Sequence, residues 1–162
     1  MKKPVTLLLL LATLAITACK KEKRACCVLP PGAEFYLAGK QGDSTWFGKP
    51  TAVFYNDSLN VYAGHGEQHM NIRIKFTGKG KYSLNNTNAI YYVTVGQDVI
   101  VANYWADNTA DNWITVTNYD KANNIITGDF NLSFVPVRTP IQAMYSFYIN
   151  ISKGKFRVAL PK

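Results

Sequence analysis

The chain has 162 residues, 48% hydrophobic, 13% aromatic and 17% charged, with 18 Lys and Arg against 10 Asp and Glu. That fits one modest domain: the apolar share excludes a disordered chain, 11 Gly and 7 Pro exclude a fibrous one, and 3 Cys are too few for a disulfide-stapled mini-protein. No pattern in the sequence names a ligand or a reaction.

Residues 1–18 read as a lipoprotein signal peptide. Lys2 and Lys3 precede an apolar stretch from Val5 to Ile16. It is shorter than the about 20 residues a spanning helix needs, and it ends in small residues. The ending Ile16-Thr17-Ala18-Cys19 resembles the bacterial lipobox, which makes Cys19 the expected lipidated N-terminus. Acyl chains such as palmitate each insert at about 0.8 kcal/mol per buried CH₂, so the membrane is the first expected partner.

Residues 19–32 read as a tether. Processing would leave 16 basic against 10 acidic residues, and Lys20, Lys21, Lys23 and Arg24 crowd beside the anchor. Such a stretch gains on the order of 1 kcal/mol per cation from anionic headgroups. The body shows no basic stripe of the kind nucleic acid demands, so no nucleic-acid partner is expected. Cys26 and Cys27 are adjacent, which strains a disulfide between them, and they lack further thiols or His nearby for a metal. Leu29-Pro30-Pro31-Gly32 holds the chain extended.

Residues 33–162 read as a single all-β domain. Alternation predicts strands over Asn71–Phe76, Trp113–Thr117, Phe130–Phe134, Phe147–Ile151 and Lys155–Leu160. β-Branched and aromatic runs add Ala52–Tyr55, Leu59–Tyr62, Ala89–Val95 and Val99–Trp105. Turns are predicted at Asn56–Ser58, Gly78–Gly80, Asn85–Asn88, Gly96–Asp98, Lys121–Asn124 and Ser152–Gly154. The expected fold is an antiparallel β-sandwich or open barrel of roughly ten hairpin-connected strands.

Candidate chemistry is sparse. His65, Glu67 and His69 would share one face of an extended strand and suit zinc, but Gly64 and Gly66 favour a hairpin loop there. Asp107–Asn112 offers oxygen ligands to calcium, without the spacing of the helical calcium loop, and Asp and Asn also suit a plain turn. Glu34, Glu67, Asp98 and Asp129 form a carboxylate pair only where folding brings two together. Neither a nucleophile elbow nor a phosphate loop is present. In Tyr91-Tyr92 and Tyr104-Trp105 adjacent rings must take opposite faces, so one of each pair can leave the core. Trp46, Trp105 and Trp113 are the candidates for an exposed aromatic surface that stacks on sugar rings or accepts a peptide; the competing expectation is that they merely cover the sheet.

The lipobox, Ala33–Gly39 with Trp46, Gly80–Leu84, Ile126–Phe130 and Ser152–Val158 follow one another in an order that resembles a domain of unknown function from small lipoproteins of the Bacteroidetes group. The resemblance carries no assigned functional residues. Asp43-Ser44-Thr45 and Asp57-Ser58-Leu59 resemble the short O-glycosylation acceptor of such envelope proteins. The resemblance implies a cell-envelope, outer-membrane lipoprotein, and Lys20–Arg24 in place of an acidic run implies that it faces the periplasm. The expectation is a membrane-anchored binding or scaffolding domain, not an enzyme, with no cofactor and with an envelope glycan or protein as partner; the alternatives are a glycan- or peptide-binding module built on exposed aromatics and a metal-dependent enzyme at His65, Glu67 and His69.

Overall fold

The computed structural model describes residues 34–137 and 148–162. Cys19, Cys26, Cys27, the signal, the tether and Phe147 lie outside the described residues. Within them the chain is all-β, with ten strands and no helix: β1 (Tyr36–Gln41), β2 (Ser44–Tyr55), β3 (Ser58–His65), β4 (Gln68–Ile74), β5 (Gly80–Ser83), β6 (Asn86–Val95), β7 (Val99–Ala106), β8 (Trp113–Asp120), β9 (Ile125–Pro136) and β10 (Ile149–Ala159).

All ten belong to one antiparallel sheet that closes into a ring. The order runs β10-β1-β2-β3-β4-β6-β7-β9, and β9 pairs again with β10. β8 and then β5 hang from β9 as a side flap. The flap arises because β9 is long: its C-terminal end pairs with β7 through Phe134, Val135 and Pro136, while Ile125 to Asn131 pair with β8 along the same edge. Between β4 and β6 the chain leaves the ring to make β5, so those two neighbours are not joined by a hairpin. β7 and β8 do not pair either, since both dock on β9, whereas consecutive strands pair at β1–β2, β2–β3, β3–β4, β6–β7, β8–β9 and β9–β10; in the tight β2–β3 turn Asn56 (φ 46°) and Asp57 (φ 57°) both take the left-handed conformation a two-residue hairpin requires.

The alternating residues point into the ring. Ile72, Ile74, Ile114, Val116, Phe130, Leu132, Phe134, Ile149, Ile151, Phe156 and Val158 are buried there with Leu37, Leu59, Tyr91 and Tyr104. Tyr91 meets Tyr104 edge-on at 6.0 Å and Phe134 at 5.8 Å between ring centroids, so an aromatic column fills the centre. Burial pushes the Tyr91 phenol up to about 12 against a hydrogen bond to Gln41.

The turn predicted at Ser152–Gly154 is corrected: β10 runs straight through it. The inward positions are odd at Ile149 and Ile151 and even at Phe156 and Val158, a phase change that reads as two strands. A one-residue bulge between Ile151 and Gly154 makes the change instead, with Lys153 at φ 52°.

Candidate functional site

The β3–β4 hairpin carries His65, Glu67 and His69, and it sends them in different directions. Gly66 and Glu67 form the turn, with His65 paired to Gln68 and Gly64 to His69. The Glu67 carboxylate accepts hydrogen bonds from the Thr94 hydroxyl and from the Gln97 amide at 3.1 Å. The Thr94 bond is the main reason that its carboxyl titrates below the ordinary carboxylate value. Thr94 has one hydroxyl proton and spends it on Glu67, so His69 Nε2, 3.3 Å from Thr94 Oγ1, is the donor in that contact. The His69 ring stacks on Tyr92 at 4.8 Å and 12°. It lies over Gly64, where an added Cβ would stand 2.9 Å from its Nδ1.

His65 is exposed and borders a separate groove with Gln41, Ser44, Thr45, Trp46 and Gln68. Glu67 and His69 are thus engaged with Thr94 while His65 faces elsewhere. Among the described residues no three His, Cys, Asp or Glu gather to hold a metal ion. In the Asp107–Asn112 loop, Asp107 Oδ1 accepts from both the amide and the hydroxyl of Thr109 at 2.8 Å. Asn112 reaches the Asp107 carbonyl at 2.6 Å and accepts from the Ser133 amide at 2.6 Å, so these oxygens organise a turn.

The three tryptophans occupy three environments. Trp46 does not reach the surface: it is 3% exposed, points into the ring and lies along Gly48, whose missing side chain leaves room for its ring. Its place in the interior corrects the expectation of an exposed Trp46. Trp105 is 39% exposed on the outside of β7. Trp113 is half-buried on the outside of β8, with Lys81 Nζ 5.4 Å from its ring centroid. It borders an open groove of about 470 Å³ with Asp129, Asn131 and Lys155.

Register places Trp105 in a row that crosses the outer face of the ring. Thr51 pairs with Tyr62, Tyr62 with Asn71, Asn71 with Ile90, Ile90 with Trp105 and Trp105 with Val135. From Tyr62 to Trp105 is three strand spacings, about 14 Å. A second row, two residues along, runs Gly64, His69, Tyr92 and Asn103. Trp113 pairs with Asn131, four residues from Val135 on the same face of β9, which puts the two outer tryptophans about 13 Å apart along that strand. The face therefore sets Tyr62, Tyr92 and Trp105 among Asn71, His69, Ile90 and Asn103. The Asn71 Oδ1 is buried, without a hydrogen-bond partner among the described residues.

Adjacent aromatics made an outward ring predictable, but the sequence does not reveal which strands are neighbours. Tyr62, His69 and Tyr92 join Trp105 only through the β3–β4–β6–β7 register. Residues 34–157 match a family described as a domain of unknown function (DUF6252). No match is found among the curated proteins or the solved structures.

Proposed function

The chain belongs to the DUF6252 family of domains of unknown function, and from that premise we propose that it is a membrane-anchored lipoprotein of the bacterial cell envelope whose β-domain binds glycan without catalysis. The signal at residues 1–18 and the lipobox at Cys19 support the anchor, and the basic run after it supports a periplasm-facing place on the outer membrane. The observation that carries the binding role is the cross-strand row Tyr62, Asn71, Ile90 and Trp105 beside the His69–Tyr92 stack. Sugar rings present flat C–H faces that pack on aromatic rings, while their hydroxyls bond to polar side chains beside them. Rigid strands hold these groups in place, so little ordering is required on binding.

A thermal-unfolding screen of the mature chain against envelope oligosaccharides tests the glycan. At a hundredfold excess over Kd, a ligand of the native state stabilises it by about 2.7 kcal/mol. The expected result is a raised Tm with one glycan class, lost in Trp105→Ala when the shift is measured against that variant's own unliganded Tm. A Tm unmoved by every glycan, or a shift that survives both Trp105→Ala and Tyr62→Ala, overturns the reading.

A further inference from the structure

The two ends of the ring differ in chemistry. β1 begins at the proximal end, which also carries the β2–β3 turn, residues 75–79, the β8–β9 turn and the C-terminus. The distal end carries the turns after β1, β3 and β6. At the proximal end the β2–β3 tip exposes Val53, Phe54 and Tyr55 by 41%, 51% and 68%. Phe54 lies 6.4 Å from Phe76, which lies 5.5 Å from Tyr119 and 6.4 Å from Tyr82, so four separate elements build one aromatic cluster. Exposed Lys75, Lys79 and Lys121 surround it, and the last two border a shallow groove with Phe76 and Tyr119. The ion pairs of the described residues, Lys81 with Asp111 and Lys155 with Asp129, engage none of these three.

The acidic residues are divided between the two ends, and the cations tip the balance. Asp43, Glu67 and Asp98 all sit in the distal turns. The proximal end holds Glu34, Asp57 and Asp120, the last with its carboxylate taken up by the amides of Ala122 and Asn123, and there Lys75, Lys79, Lys121, Arg157 and Lys162 outnumber them. Rings with a polar edge beside free lysines match the interfacial layer of a bilayer, where aromatic side chains settle at headgroup depth and cations meet anionic lipid. The distal turns are also apolar at Val95, Val99 and Ile100, but their carboxylates would be repelled there.

We infer that the proximal end, through Phe54, Tyr55 and the cluster around Phe76, rests on an anionic phospholipid surface. The inference depends on the anchor at Cys19 and adds an orientation to it: β1 starts at this end, so the chain reaches the domain from the side that would face the bilayer. The strands β3, β4, β6 and β7 would then stand upright, with the aromatic row running across them parallel to the bilayer and open to the side.

The test uses the full mature lipoprotein, reconstituted into vesicles of phosphatidylethanolamine and phosphatidylglycerol with brominated acyl chains, which quench nearby tryptophan. One variant carries Tyr55→Trp at the proximal tip and another Val99→Trp at the distal tip, both at exposed positions that leave the core intact. The expected result is at least twofold stronger quenching of the added emission in Tyr55→Trp, falling to the distal level when Lys75, Lys79 and Lys121 are all changed to Glu. Equal quenching at both tips in protein that floats with the vesicles overturns the orientation and leaves the anchor standing. Protein that fails to float overturns both.

Discussion

Gly128 and Gly154 show how single atoms decide where the strands of this ring can approach. A Cβ at Gly128 would overlap the Thr115 carbonyl oxygen on β8, and one at Gly154 would stand 2.5 Å from the Phe130 ring. Both glycines let an aromatic side chain lie flat against a neighbouring backbone, Phe156 over the first and Phe130 over the second. The two alanine variants should not behave alike. Phe130 is fully buried and has nowhere to swing, but it is a side chain; the obstacle at Gly128 is backbone and cannot move without breaking the β8–β9 ladder. Gly128→Ala should therefore cost about 3 kcal/mol or more and Gly154→Ala less, read as the loss in unfolding free energy in urea. Equal costs would show that the β8–β9 ladder yields as readily as a packed ring.

The β3–β4 turn is tied to β6 and the turn after it through Glu67, Thr94 and Gln97, and this link carries a pH dependence of known sign. The Glu67 carboxyl titrates lower in the folded chain than its ordinary 4.5, chiefly through the Thr94 hydroxyl. The tie is therefore complete above the ordinary value and is lost as pH falls through the lowered one. Thr94→Val should return the Glu67 carboxyl toward its ordinary value in an NMR titration and speed amide exchange at Gln97 near neutral pH. An unchanged titration would assign the shift to the Gly96 and Gln97 amides instead. Much of the element scale was legible beforehand. Strict alternation in Asn71–Phe76 and Phe130–Phe134 identified strands and their inner faces, although β4 stops at Ile74, because a half-buried strand has no other way to sort its side chains. Alternation failed at Ser152–Gly154, where a bulge imitates a turn, and at Trp46, where burial depends on Gly48 two residues on. It could not reveal the aromatic row either, since that row is a product of register between strands distant in sequence.

Across the whole molecule, protection should follow the pattern of neighbours. β10 is flanked by β1 and β9, and β9 by β10 on one side and by β8 and β7 on the other. β5 is four residues long and has β8 alone as its neighbour. Hydrogen exchange should release Lys81–Ser83 and the β2–β3 tip first, and hold the amides of Leu132, Ile151 and Phe156 longest. Uniform protection would mean that the flap and the ring open as one unit.

The pairing of Tyr36 with Arg157 joins the first strand to the last. During synthesis β1 can meet β2 early, but its other edge waits for almost the whole domain to follow. The final step closes a very large loop, which is slow on entropic grounds. Until β10 arrives, the open edges of β1 and β9 stay available to any other extended chain. The order of events along the polypeptide thus sets a window of vulnerability: a nascent or truncated chain ending before Ile149 is the species most prone to aggregate, and completion of the last eleven-residue strand both shuts the ring and removes the hazard.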